Sequence, residues 1–239
     1  MTVDGLVGEG NLHMSDTDQV QAVRDYYLHD NDGEPSIYHI WERGEGRGDV
    51  TTPATSSEPY QRYMDGLLRG LLAESSDPGL LSVGCGNAMI EAAIAADGIR
   101  VLGIDALEHA VELAKAKGVN AIKADVFSWT PPPGPWTVVY ADGILGHIAD
   151  SGTAIQNVVK RLRSWLPETG GALVISNDPP RNDEELQENP KVAKYFWFSQ
   201  DYLHRHVAQC GFRDVTSTAF TYEKPLSGPR DRIVVTARA

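Results

Sequence analysis

LLSVGCGNAM, Leu80 to Met89, is an apolar run that meets two glycines, Gly84 and Gly86, and passes into an alanine-rich apolar segment. A strand entering a glycine turn that opens a helix has this pattern. Glycine lets a ligand approach the backbone, and the helix start points free N–H groups towards it. Asp105 closes the next apolar run. At that spacing a carboxylate can accept both hydroxyls of a ribose, so turn and carboxylate together imply a nucleoside cofactor rather than a bare turn and a helix cap.

The nucleoside is narrowed by what the turn lacks. A dinucleotide fingerprint, G-x-G-x-x-G/A, needs a small residue where Met89 stands, and no Gly-Lys-Ser/Thr follows to make a phosphate loop. Around the turn the chain alternates. Strands are expected at 80–84, 100–105, 119–123, 136–141 and 171–176, and helices near 87–97, 107–117 and 152–166, the pattern of a parallel sheet covered on both faces. After a polar loop (177–190) come a helix near 199–210 and strands near 212–222 and 232–237. The gap of about nine residues between these strands is too short for a helical crossover, so they should pair antiparallel. The expected fold is α/β, a Rossmann-like seven-stranded, mostly parallel sheet with an antiparallel C-terminal strand.

Upstream, residues 1–15 are glycine-rich and acidic and are expected to form a mobile tail. Asp16 or Thr17 caps a helix reaching about His29. A turn-rich stretch then surrounds an aromatic island, Ile37 to Trp41, read as the packed edge of a lid within a long loop. Glu58 to Ala73 carries apolar residues at helical spacing. The division expected is a tail (1–15), an N-terminal helical lid or substrate cap (16–78) and a core (79–239).

The 239 residues carry 33 acidic against 21 basic side chains, a net charge of −12. That charge repels nucleic-acid backbones and anionic membranes and favours a small or cationic substrate. Cys85 and Cys210 are the two cysteines, with no disulfide framework implied. With no leader or membrane span read in the sequence, a cytoplasmic monomer or homodimer is expected. The scattered histidines suggest no metal site; His204 and His206 do not share a helix face.

At this point the chain resembles the class I S-adenosylmethionine-dependent methyltransferases of small-molecule type. The resemblance runs from about Gly79 to the C-terminus, and five stretches match in order. Gly84, Cys85 and Gly86 match the glycine loop around the cofactor's methionine and ribose. Asp105, followed by Ala106, matches the ribose carboxylate. Asp125 and Val126 in KADVF match the adenine contacts. VVYADGILGHI, Val138 to Ile148, is similar to the fourth strand, with Tyr140, and its following loop, and SQDYLHRHVAQCGF to the helix ending in Gly-Phe. Two positions depart from the pattern. Ser82 replaces the usual acid, which costs about 1 to 2 kcal/mol of cofactor binding unless another group compensates, with Asp142 the first candidate. Ala88 replaces the third glycine, tolerable if its φ is negative.

The resemblance implies an S-adenosylmethionine-dependent N- or O-methyltransferase that acts on a small molecule, such as a specialised metabolite in antibiotic biosynthesis, and yields S-adenosylhomocysteine. His147, Asp142 and Tyr26 are the candidate catalytic residues. Tyr27, Tyr38, His39, Trp41, Arg181 in SNDPPR and Trp197 in the run Tyr195 to Phe198 are the candidate substrate contacts, and that aromatic run also has the makings of a cation cage. Three other readings stay open: a degenerate cofactor-binding regulator, an NAD-dependent oxidoreductase, and a protein or nucleic-acid methyltransferase.

Overall fold

The computed structural model describes residues 16–29, 33–46 and 48–239; the expected tail, 1–15, lies outside the described residues. The chain begins with α1 (Asp16–Leu28), α2 (Ile37–Glu42), α3 (Pro53–Ser56) and α4 (Glu58–Leu72). It continues through β1 (Gly79–Val83), α5 (Met89–Ala96), β2 (Arg100–Asp105), α6 (Glu108–Ala116), β3 (Asn120–Lys123), β4 (Val138–Asp142), α7 (Leu145–Ile148), α8 (Gly152–Arg163) and β5 (Ala172–Asn177). Last come a small pair, β6 (Leu186–Glu188) and β7 (Phe196–Phe198), then α9 (Gln200–Ala208), β8 (Val215–Lys224) and β9 (Gly228–Arg238).

Seven strands form one sheet in the order β3-β2-β1-β4-β5-β9-β8. The first five run parallel; β9 pairs antiparallel with β8, as their short connection required, and also with β5. Alternating side chains serve two cores. Leu81, Val83, Val139, Leu173 and Val235 meet α8 and α9 on one face, while Leu80, Val138, Val174 and Val234 meet α4 and α5 on the other. Burial on both faces explains why β1, β4 and β5 read as continuous apolar runs. Helix α4 belongs to this second layer: Ser57 accepts the Tyr60 N–H as its N-cap, and Tyr60, Met64, Leu68, Leu71 and Leu72 are buried on the sheet.

Two segments differ from the expectation. The aromatic island is a helix, α2, not a loop; it buries Ile37, Tyr38 and Trp41 with Leu107 and Ala110 at the start of α6. Residues 177–198 are not simply a polar loop, because Leu186 to Glu188 pair with Phe196 to Phe198 as a second, two-stranded sheet. Strand periodicity over three residues is too brief to read from sequence. The order reverses between β1 and β4, and it is outside the carboxyl ends of strands at such a switch point that open α/β sheets bind ligands.

Candidate active site

At those carboxyl ends lies a cavity of about 480 Å³, within the range of small-molecule sites. The glycine turn forms its floor. Gly84 and Gly86 have φ of 66° and 52°, and a Cβ on Gly84 would stand 2.8 Å from Ile144 Cδ1. Gly86 donates its N–H to Asp105 Oδ2 at 2.9 Å, and Leu107 donates to Oδ1 at 2.9 Å. The buried carboxylate is thereby fixed at the end of β2. Burial raises its pKa, opposed by these N–H bonds. Ala88 adopts φ 53°, so the negative angle expected there is corrected: the third position keeps a left-handed backbone that a side chain enters at a cost of about 1 kcal/mol.

Ser82 lies beneath the cavity wall, 1% exposed, and donates its hydroxyl to Glu91 Oε1 at 2.5 Å. Glu91, in the first turn of α5, lines the cavity. A carboxylate is therefore present next to the position where the sequence lacks one, carried by the helix instead of the strand. Burial pushes its pKa up to about 7, with the Ser82 bond pulling the other way. The sequence signal was the single charged residue in the apolar helix MIEAAIAA, and it was missed.

Asp142 does not take that place. Its Oδ1 accepts Ser176 and Arg232, and its Oδ2 accepts Tyr140 at 2.8 Å and Tyr60 at 3.1 Å. Burial works to raise its pKa, but the Arg232 charge and these donors outweigh burial and leave it lowered. A carboxylate so saturated is a structural anchor and a poor base. Arg232, 2% exposed on β9, also pairs with Asp178 at 3.2 Å. Gly143 makes room for it: a Cβ there would lie 2.6 Å from Arg232 Nη2.

His147 stands in α7 at the cavity wall, its Nε2 3.1 Å from the Tyr27 hydroxyl and its ring 4.5 Å from that of Tyr195. Burial, assisted by the Arg232 charge, lowers its pKa to about 4, so the imidazole is neutral at pH 7. Tyr26, Tyr27, Tyr38 and Trp41 form a connected aromatic wall, with Tyr27 stacked on Tyr38 at 5.1 Å. Burial pushes the Tyr26 hydroxyl up to about 12, which leaves it protonated. Cys85, Ala106, Asp125, Val126, Tyr140, Arg181 and Trp197 line the same cavity. His39 does not; its ring stacks on that of His109 at 4.4 Å.

At Asp49 the N-terminal segment is tied to the C-terminal hairpin. At its tip the N–H groups of Leu226 and Ser227 donate to Asp49 Oδ1 at 2.8 and 3.1 Å, and Lys224 Nζ donates to the Asp49 carbonyl at 3.2 Å. Among the described residues no group of potential metal ligands comes together, and no helix is long and apolar enough to cross a membrane.

The family model described as a methyltransferase domain matches residues 57–217, two thirds of the sequence. The chain belongs to that family. Along nearly its whole length it is similar to a tabtoxin biosynthesis enzyme of Pseudomonas amygdali pv. tabaci, 35% identical over 96% of this chain and 92% of the relative. Two solved methyltransferases share the fold. The 1,6-didemethyltoxoflavin-N1-methyltransferase of Burkholderia thailandensis, with 1,6-didemethyltoxoflavin and S-adenosylhomocysteine bound, has a TM-score of 0.64 at 19% identity, over 99% of this chain and 92% of its own. The magnesium protoporphyrin IX methyltransferase of Synechocystis, with the same product bound, has a TM-score of 0.63 at 18% identity, over 92% and 99%. Its fold is thus the one in which those solved methyltransferases hold S-adenosylmethionine or S-adenosylhomocysteine. The glycine cradle, buried Asp105 and lined cavity fit that cofactor.

Proposed function

We propose that this methyltransferase modifies a nitrogen or oxygen of a specialised metabolite. The observation that carries the reading is the continuity of one cavity, from the Gly84 to Asp105 turn to the aromatic wall of Tyr26, His147 and Tyr195, beneath α1 to α3. A cavity covered in this way suits a small acceptor better than a protein or nucleic acid, and the relative named for tabtoxin biosynthesis supports the same class.

On this reading Asp105 holds the ribose hydroxyls, and Asp125 with Val126 lies at the adenine. Glu91, oriented by Ser82, faces the cofactor's ammonium; Gly84, Cys85, Gly86, Ala106 and Tyr140 complete the walls. When bound, S-adenosylmethionine supplies an activated sulfonium methyl, so the chain's own contribution is alignment and exclusion of water. Tyr27, Tyr38, Trp41, Arg181 and Trp197 shape the acceptor side. Neutral His147, beside the Tyr27 hydroxyl, orients the acceptor by hydrogen bonding; with a pKa of about 4 it is a weak base, so the acceptor nucleophile arrives unprotonated or loses its proton to solvent. Tyr26, protonated, positions rather than abstracts.

The test is transfer of a radiolabelled methyl from S-adenosylmethionine into a boiled cell extract. Label in the dialysable fraction is expected. Label confined to protein or nucleic acid, or none transferred, would overturn the proposal.

A further inference from the structure

The acidic chain has a cationic wall at the acceptor end of its cavity. Arg181, Lys224 and Arg230 line it, and among the described residues none of the three forms an ion pair with a carboxylate. Of the carboxylates nearby, Asp142 and Asp178 pair with Arg232 and Asp49 accepts the hairpin N–H groups, while the charges of Asp178 and Asp49 also act on Lys224. The guanidinium carbons of Arg181 and Arg230 lie 5.5 and 5.0 Å from the centroid of one ring, that of Trp197. Two like charges drawn to a single indole in a half-enclosed wall repel each other unless an anion sits with them. Trp197 itself is buried, and among the described residues its Nε1 has no acceptor and Thr51 Oγ1, buried on the same cavity, has no partner. Buried donors left unpaired are costly, and a ligand that accepts from them removes the cost.

We propose that this wall is an anion subsite and that the methyl acceptor carries a carboxylate, held by Arg181 and Arg230 against Trp197. A planar guanidinium matches a planar carboxylate with paired hydrogen bonds, which a carboxamide cannot reproduce in charge. The net charge of the chain, which favoured a cationic substrate, describes the outer surface; the acceptor wall has the opposite sign. The subsite deepens the methyltransferase reading and rests on it only for the role of the bound molecule.

The test uses benzoate and benzamide, a matched pair chosen for the aromatic walls, titrated by saturation-transfer NMR with and without S-adenosylhomocysteine. Benzoate is expected to bind about tenfold more tightly than benzamide. The R181Q/R230Q variant should lose that preference while its affinity for S-adenosylhomocysteine stays within about twofold, which also shows that it folds. Arg163→Gln, which removes a single positive charge beside Phe212 and outside the cavity lining, should keep it. Equal binding of the two probes, no benzoate binding at about 20 mM, or a preference that survives in R181Q/R230Q overturns the subsite. Loss of S-adenosylhomocysteine binding in the unaltered protein strikes the methyltransferase reading instead and leaves the benzoate preference to be judged on the apoprotein.

Discussion

On the proposed reading, Glu91 supplies from the helix the charge that Ser82 leaves out of the strand. A buried carboxyl with a pKa near 7 is costly when ionised and useful once an ammonium arrives. Cofactor binding should therefore release a proton below about pH 7, and affinity should fall as pH drops through 7 towards 5. Calorimetry in buffers of different ionisation enthalpy reads this directly, and Glu91→Gln should abolish the proton release. The same group works against the fold. Its folded pKa lies above the ordinary 4.5, so its contribution to stability is greatest below pH 4.5 and is lost as pH rises through about 7. Without cofactor, Glu91→Gln should raise the melting stability at pH 8 by at most about 3 kcal/mol and have little effect near pH 4. Asp105→Ala should weaken cofactor binding at least about tenfold. The sequence made the place of Asp105 legible, at a strand end beside the glycine turn. Glu91 was not, because a contact from a helix back to a strand depends on how α5 packs on β1.

Among the elements, β9 links the sheet to the site through Arg232. Its guanidinium lies between Asp142 at the end of β4 and Asp178 after β5, with Ser176 and the hydroxyls of Tyr60 and Tyr140 completing the network. Arg232→Met leaves both carboxylates buried and unpaired and should cost about 3 to 5 kcal/mol in denaturant unfolding. Adding Asp142→Asn should recover part of that loss, and a double-mutant cycle reads the coupling. The apolar periods of the main strands, α4 and the C-terminal hairpin were sufficient to place them within a few residues. The six-residue α2 and the three-residue strands β6 and β7 are set by tertiary contacts, Trp41 Nε1 donating to the Val50 carbonyl among them, and carry no period of their own.

Over the whole molecule, sheet order decides where function sits. The reversal between β1 and β4 opens the crevice, the N-terminal helices cover it, and the β8–β9 turn fastens the cover through Asp49. Asp49→Ala removes the acceptor for two N–H groups far from the glycine loop. It should raise the acceptor KM severalfold and leave S-adenosylhomocysteine affinity within about twofold, as steady-state kinetics and calorimetry would show. Fold and family were legible because several motifs recur in a fixed order; of the cationic wall only Arg181 was, since Lys224 and Arg230 join it from a segment that meets it only after folding. The most direct measurement is calorimetric titration of the protein and of its Glu91→Gln variant with S-adenosylmethionine at pH 7.5. The account predicts saturable binding by the unaltered protein and binding about tenfold weaker by the variant; no binding at millimolar concentration, or equal affinity in the two, would contradict it.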